Sequence, residues 1–460
     1  MTAADLTLVQ SGKSDYRIVV PSSPPANVQL AATELQDYLR QVSGAELPII
    51  TDDQPPAPNE ILLGDNRRLQ QLNLPVEFSK LGGDGYVLRT AGDRLVIAGG
   101  PKHGTLYGVY GFLEDNLNCR WYSSKVRRVP RQSTIVLAPL NVTQVPAFKY
   151  REVFYRDTMN PAFARCLKLN GSSNVNPGEN EWGSWCHSFY SFVPPEKFFA
   201  THPEYYSLVN GKRTHTFMYA PAGPVEYTAQ LCLSNPDVLK VIIDELKRRM
   251  QASPQAHYWS ISQMDGHLAA CQCAGCRGWD EREESPMGSI LHFVNQVAAE
   301  FPDQTITTLA YTYTRHPPKT LRPAPNVGIQ LCDIECPRTQ AARPIATDPS
   351  HQSFRDDLEG WTKICDKVLI WDYVIQFGSL VSPYPNLRVL QPNLRYYAGH
   401  HVLGVFAQGN REIGGEFCEL RAYLLAKLLW NPDCDVNAVI DDFLSGYYGP
   451  AAGPIRRYID

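Results

Sequence analysis

The stretches TITTLAY (305–311), NVGIQLC (326–332), KVLIWDY (367–373) and VLGVFAQ (402–408) decide the fold. Each is a short run of mostly apolar and β-branched residues, and a strand that is apolar on both faces must be covered on both faces. That is the signature of a parallel sheet wrapped in helices. Two earlier runs, KYREVFY (149–155) and HYWSISQ (257–263), extend the series. Between them lie amphipathic helices. In SNPDVLKVIIDELKRRM, Asn235 is placed as an N-cap and Pro236 occupies the first helical position. In MGSILHFVNQVAAEF, residues Ile290, Val294, Val297 and Phe301 recur at helical spacing. Less regular strand candidates around WCHSFY (185–190) and QLCLSN (230–235) bring the count to the eight of a closed barrel. The expected fold is α/β: a (β/α)8 TIM-type barrel over residues 144–460, with an open doubly wound sheet as the alternative. No glycine fingerprint for a nucleotide follows any strand, which speaks against the latter.

Residues 1–143 read as a separate small α/β sandwich domain. YRIVVP is a short strand. The next stretch carries Val28, Ala31, Leu35, Leu39 and Val42 on one helical face and ends at Gly44. EILLGD is a second strand, and DGYVLRTAGDRLVIAGG reads as a hairpin turning at Ala91-Gly92-Asp93. HGTLYGVYGFLEDNL supplies another helix, with Leu106, Val109, Tyr110 and Leu113 on its apolar face. At the other end, GGEFCELRAYLLAKLLWNPD is helical, with Leu420, Leu424 and Leu428 on one stripe. The chain stops as a further helix begins, so a truncated or short C-terminus is expected.

With 460 residues, 43% hydrophobic and 20% charged, the chain has the composition of an ordinary globular protein of two domains. A net charge of -4 offers no polybasic field for a nucleic-acid backbone. No apolar run spans a bilayer. The 24 Tyr, 17 Phe and 8 Trp are mostly core material, though aromatic faces are also what sugar rings stack on. The first twenty residues carry no basic segment followed by an apolar core. As written the protein is therefore cytoplasmic, or periplasmic or secreted if a signal was trimmed. Oligomeric state is left open.

In a parallel barrel the chemistry sits at the C-terminal ends of the strands. HYWSISQ leads to Met264-Asp265-Gly266-His267, and TITTLAY ends at Tyr311, with Tyr313, Arg315 and His316 beyond. NVGIQLC leads to Asp333 and Glu335, whose spacing of two puts them on one side of an extended segment. KVLIWDY ends in Trp371-Asp372-Tyr373. VLGVFAQ ends at Gln408, with Asn410, Glu412 and Glu416 following. A single Asp after a strand is more often a cap or turn residue; acids and aromatics at several strand ends are the stronger pattern. Paired carboxylates suit glycosidic hydrolysis, which needs one proton donor and a second carboxylate as nucleophile, base or orienting group. His187, in WCHSFY, either binds a sugar hydroxyl or is a satisfied wall residue.

Twelve cysteines are too few for a disulfide scaffold in a chain this long. Cys271, Cys273 and Cys276 nevertheless form a C-x-C-x2-C run with His267 four residues before it. This set is a zinc candidate lacking a matching second ligand pair, and a disulfide or simple loop packing are its alternatives. No cofactor motif is present.

The stretch from IVVPSSPPANVQLAATELQDYLRQVSG through EILLGD to HGTLYGVYGFLEDNLNCRWY resembles the N-terminal domain of family 20 hexosaminidases and bacterial α-glucuronidases. The segments FFATHPEYYSLVNGKR, SQMDGHLAACQCAGC, LCDIEC, WDYVIQFGSLVSPYPNL and GGEFCELRAYLLAKLLWNP resemble the bacterial domain-of-unknown-function family 4838. That family includes the glycoside hydrolases of family 163. The resemblance implies a carbohydrate substrate and endo-β-N-acetylglucosaminidase activity on N-glycans. It further implies a retaining mechanism assisted by the substrate's acetamido group. Carried onto this chain, it puts Asp265 and Glu335 forward as catalytic. His187, Tyr311, Asp333, Trp371, Asp372, Tyr373, Gln408 and Glu416 would bind substrate. Relative to many family members, the chain is expected to lack a recognisable signal peptide and an appended C-terminal binding domain. The rival readings are a non-catalytic glycan-binding protein and a glycosidase for another sugar, such as a uronic acid.

Overall fold

In the computed structural model, the residues described are 5–72, 74–219, 225–266, 269–337, 343–412 and 414–460. Packing divides the chain into two compact units: Met1–Lys149 with Asp157–Leu169 and Glu419–Asp460, and Tyr150–Arg156 with Asn170–Cys418. Neither unit is contiguous in sequence.

The first unit holds a six-stranded mixed sheet. Its strands are β1 (Arg17–Val20), β2 (Ile49–Thr51), β3 (Glu60–Leu63), β4 (Tyr86–Ala91), β5 (Arg94–Gly99) and β6 (Asn141–Gln144), in the spatial order β6-β4-β5-β3-β1-β2. β4 and β5 form the expected hairpin, with Gly92 at φ +62°, a left-handed turn conformation that glycine adopts without strain. Helix α1 (Ala26–Ser43) buries Val28, Ala31, Leu35, Leu39 and Val42 and ends in a left-handed Gly44 cap. Helix α2 (Gly104–Asp115) packs beside α1 and against β4 and β5. Its Gly111 lies under the Tyr86 ring, where a Cβ would come within 2.2 Å of the phenol oxygen. Val19, Leu62, Val87, Val96 and Ala98 form a second core with Leu69 and Leu81.

The second unit is built on a seven-stranded, wholly parallel sheet. Its strands are β7 (Tyr150–Phe154), β8 (Trp182–Ser184), β9 (Tyr258–Ser260), β10 (Thr305–Ala310), β11 (Val327–Cys332), β12 (Val368–Tyr373) and β13 (Gly404–Gln408). Their spatial order is β7-β13-β12-β11-β10-β9-β8. This curled sheet is a TIM-type barrel wall. Among its helices, α3 (Pro236–Ala252) starts from an Asn235 side chain that accepts the Asp237 amide, as the sequence predicts. The others are α4 (Ala274–Arg282), α5 (Met287–Ala299), α6 (Gln352–Thr362) and α7 (Leu387–Gly399). Helix α8 (Cys418–Trp430) follows β13 in sequence, belongs from Glu419 onward to the first unit, and buries Leu420, Leu424 and Leu428. Among the described residues no helix is long and apolar enough to cross a membrane.

Two strand expectations differ from the structure. The strand near WCHSFY lies just before it, at Trp182–Ser184, and residues 185–190 form a loop and the start of a short helix. QLCLSN contributes no barrel strand: Leu231 makes one isolated bridge, to Tyr206. The two edge strands meet instead through side chains, the rings of Tyr150 and Trp182 lying 5.7 Å apart. Asn170 and Asn174 cover the open edge of β7. The Asn170 side chain accepts the Arg151 amide at 2.8 Å. Asn174 both accepts from the Val153 amide (3.1 Å) and donates to the Val153 carbonyl (3.0 Å). Side-chain amides thus stand in for a neighbouring strand.

Candidate active site at the strand ends

The chain leaves β9 through Ser262 and Gln263, both fully buried. The Gln263 side chain donates to the Leu309 carbonyl (3.1 Å) and to the Thr314 hydroxyl (2.7 Å), tying the end of β9 to the end of β10. Its backbone carbonyl lies 2.8 Å from His187 Nδ1. A carbonyl only accepts, so Nδ1 carries a proton, and Nε2 is left on the other side of the ring to meet a ligand.

The next two residues bring Asp265 to the surface, where its Oδ1 accepts from the Tyr311 hydroxyl at 3.2 Å. Buried Gln230 holds this loop. It accepts the Met264 amide at 2.8 Å and donates to the Met264 and Gly266 carbonyls, each at 3.0 Å. Tyr311 stands at the end of β10, its ring 5.7 Å from that of His187. Burial raises its phenol well above the usual range, and the Asp265 carboxylate raises it further, so the hydroxyl remains a donor at neutral pH.

Glu335 is exposed and takes an ion pair from Arg315 at 3.0 Å. The same guanidinium holds Asp357 at 2.6 Å. Asp333 faces elsewhere. It is buried, accepting the Tyr373 amide at 3.0 Å and the Tyr397 hydroxyl at 3.2 Å. The spacing-of-two expectation for this pair fails because β11 ends at Cys332 and a turn follows, closed by the Cys336 amide on the Asp333 carbonyl at 2.8 Å. Asp333, Asp372 and Tyr373 line a cavity of about 50 Å³ with Arg343 and His351.

An aromatic patch completes the strand ends. Trp371 donates to the Gln408 side chain at 2.7 Å and stacks near Tyr373, with ring centres 6.0 Å apart. Phe406 lies 4.6 Å and Trp185 5.8 Å from Trp371. Tyr311 and Trp371 both pack on the buried cluster of Leu309, Cys332 and Tyr373. The structure therefore brings together His187, Asp265, Tyr311, Trp371, Tyr373 and Gln408. Glu335 is held by Arg315. Asp333 and Asp372 turn to the small cavity. Glu416 lies two residues before α8, its amide donating to the Leu380 carbonyl at 3.1 Å. Tyr313 lines a different cavity, beside Cys276 and Asp280.

Three non-glycine residues at or beside these positions have left-handed backbones: His187 (φ 46°), Thr312 next to Tyr311 (φ 48°) and Phe417 next to Glu416 (φ 47°). Such strain, greatest for a β-branched residue like Thr312, concentrates where function fixes a conformation.

Sequence reading missed several residues here. Gln230 and Gln263 act through long-range hydrogen bonds that no local pattern announces. Glu152, in the middle of β7, is a buried carboxyl bonded to the Tyr150 hydroxyl and to Ser172 and Ser173. Burial raises it above the ordinary carboxyl range. Its only sequence signal was a lone acid within an apolar strand. Cys232, from the QLCLSN segment, joins Cys271, Cys273 and Cys276, with all four sulfurs within 4.8 Å of one another. His267 lies outside the described residues.

Residues 121–460 match the family model described as domain of unknown function DUF4838. The chain belongs to the DUF4838 family. In this family member, residues 6–112 also match the model described as the glycosyl hydrolase family 67 N-terminus. Comparison with the curated proteins finds no match. Among solved structures the chain is similar to a GH115 4-O-methyl-α-glucuronidase, BtGH115A, with specificity for decorated arabinogalactans (TM-score 0.56, 15% identity, 99% of this chain). It spans 62% of that protein's length. It is similar to the Streptomyces plicatus N-acetyl-β-hexosaminidase (TM-score 0.50, 13% identity, 98% of this chain and 93% of that one). CpGH84B is a further neighbour (TM-score 0.54, 12% identity, 99% of this chain and 74% of that one). At these identities the likeness establishes the fold: a TIM-type barrel preceded by a small α/β domain.

Proposed function

We propose that this protein is a glycoside hydrolase acting on N-acetylglucosamine-containing glycans, with Asp265 and Glu335 as its two working carboxylates. One observation carries the reading. The two acids follow β9 and β11, and between those strands Tyr311, just past the end of β10, donates its hydroxyl to Asp265, while Arg315, four residues beyond Tyr311, pairs with Glu335. Around them, the half-buried rings of Tyr311 and Trp371 offer faces for sugar rings, and His187 Nε2 offers a hydrogen-bonding partner for a hydroxyl.

In the proposed reaction one carboxylic acid protonates the glycosidic oxygen. The substrate's acetamido oxygen attacks the anomeric carbon, while the second carboxylate orients the amide N–H. Water then opens the cyclic intermediate with retention. The resemblance to family 163 supports endo-action within N-glycans. A uronic acid is the second reading, favoured by the family 67 N-terminal match and the GH115 likeness. Weighing against it, Arg315, the cation beside Glu335, is already shared between two carboxylates.

The test is hydrolysis of a chitobiose-containing N-glycan and of nitrophenyl N-acetyl-β-glucosaminide by the wild type, D265N and E335Q. Each variant is expected to lose about 10²- to 10⁴-fold in kcat/KM on the glycan. The variant lacking the proton donor regains activity on the nitrophenyl substrate, whose leaving group needs no proton. Unchanged glycan hydrolysis by both variants would remove the assignment. Cleavage of an aryl glucuronide alone would select the second reading.

A further inference from the structure

We infer that Cys232, Cys271, Cys273 and Cys276 form a structural tetrathiolate site for one zinc ion. The inference is independent of the hydrolase reading. The C-x-C-x2-C run supplies three thiols from the β9–α4 connection and the first turn of α4, and the fourth comes from the segment before α3. A zinc–sulfur bond of about 2.3 Å puts neighbouring sulfurs of a tetrahedron about 3.8 Å apart. Cys232 Sγ lies 3.6 Å from Cys273 Sγ, and all four sulfurs fall within 4.8 Å of one another. This is too open for a disulfide, which needs about 2 Å between sulfurs. It is the spacing of thiolates converging on a single ion.

The surroundings suit thiolates bound to a cation. The Leu208 amide points at Cys271 Sγ (3.3 Å), and the Arg213 guanidinium lies 3.8 Å from it. Cys273 is the N-cap of α4, its sulfur receiving the Cys276 amide at 3.5 Å, so the helix N-terminus faces the cluster. The Ser234 hydroxyl reaches Cys273 Sγ at 3.1 Å. Gly275 makes room for it, since a Cβ there would meet the Ser234 side chain at 2.6 Å. Donors directed at metal-bound sulfurs are the usual outer layer of such sites.

The site accounts for QLCLSN, the segment that formed no strand. Gln230 grips the loop carrying Asp265, and two residues later Cys232 is bound to the same β9–α4 connection. One ion would fasten the α4 end of that connection to the same strut whose Gln230 holds its β9 end, in place of the ladder hydrogen bonds that a strand would have made.

Metal analysis of the purified full chain, grown with zinc and handled without chelator, is expected to find about one zinc per chain. C232S and C276S should each lose most of it. C365S, at a buried cysteine outside the cluster, should keep it. Exchange for Co²⁺ should produce thiolate-to-cobalt charge-transfer absorption in the wild type, a readout that survives even if the variants fold poorly. A wild type with less than about a tenth of an equivalent of zinc and no cobalt charge-transfer band would overturn the proposal. So would full zinc content in both C232S and C276S.

Discussion

The Tyr311 hydroxyl donates to Asp265 across neighbouring strand ends, and burial together with that carboxylate holds the phenol protonated. A hydrogen bond to a charged acceptor contributes roughly 1.5–3 kcal/mol. Y311F should therefore lower kcat/KM on the nitrophenyl substrate by about 10- to 100-fold. The folded state should be unchanged by circular dichroism, because the ring still packs on Leu309 and Cys332. Wild-type rates in Y311F would mean that this bond does not serve the chemistry. Asp265 and Tyr311 were legible in the sequence because each stands at or just past the end of a strand-like run, where a barrel exposes polar groups. Gln263 and Gln230 were not. Their work is done on residues 46 and 34 positions away, and an amide side chain carries no hint of its partner.

At the scale of elements, the open edge of β7 shows how an irregular segment completes a barrel wall. Asn174 is fully buried and satisfies both the amide and the carbonyl of Val153. N174A leaves two buried backbone groups without these bonds and should destabilise the protein by about 2–4 kcal/mol. The loss would be read as a lowered urea midpoint, with faster amide exchange at Val153. An unchanged midpoint would show that water replaces the side chain. The principal strands and helices were readable because apolar runs, caps and helical periodicity are written within a few consecutive residues. Short elements escaped. Trp182–Ser184 is too brief to carry a pattern, and QLCLSN has strand composition without a strand neighbour. Asp333 and Glu335 diverged because a two-residue period holds only while the backbone stays extended.

At the scale of the whole molecule, residues distant in sequence share one compact unit. Within the first unit, Glu114 of α2 is paired with Lys168 at 3.2 Å and with Lys427 of α8. Burial pushes the Glu114 carboxyl up, but Lys427 and Lys168 outweigh it and bring it down to about 2, from an ordinary 4.5. A folded value below the unfolded one means the stabilisation is present above pH 4.5 and fades as pH falls toward 2. The shift corresponds to roughly 3 kcal/mol. E114Q removes the carboxylate that pairs with buried Lys168 and half-buried Lys427 and should cost about 3–5 kcal/mol at pH 7. The gap between wild type and E114Q in urea unfolding should shrink between pH 4.5 and 2. A gap independent of pH would show that the carboxylate is not the stabilising species.

By itself the sequence determined the parallel α/β barrel, the preceding small domain and the strand-end acids. Those features depend on short-range periodicity and on which residues interrupt it. Only the tertiary structure decided that Asp265 meets Tyr311, that Asp333 turns inward, that Lys427 returns to Glu114, and that Cys232 meets Cys273 from 41 residues away. Such pairings depend on how strands register and how long connections close. Hydrogen bonds, ion pairs and thiol clusters have directional geometry that residue spacing along the chain does not encode.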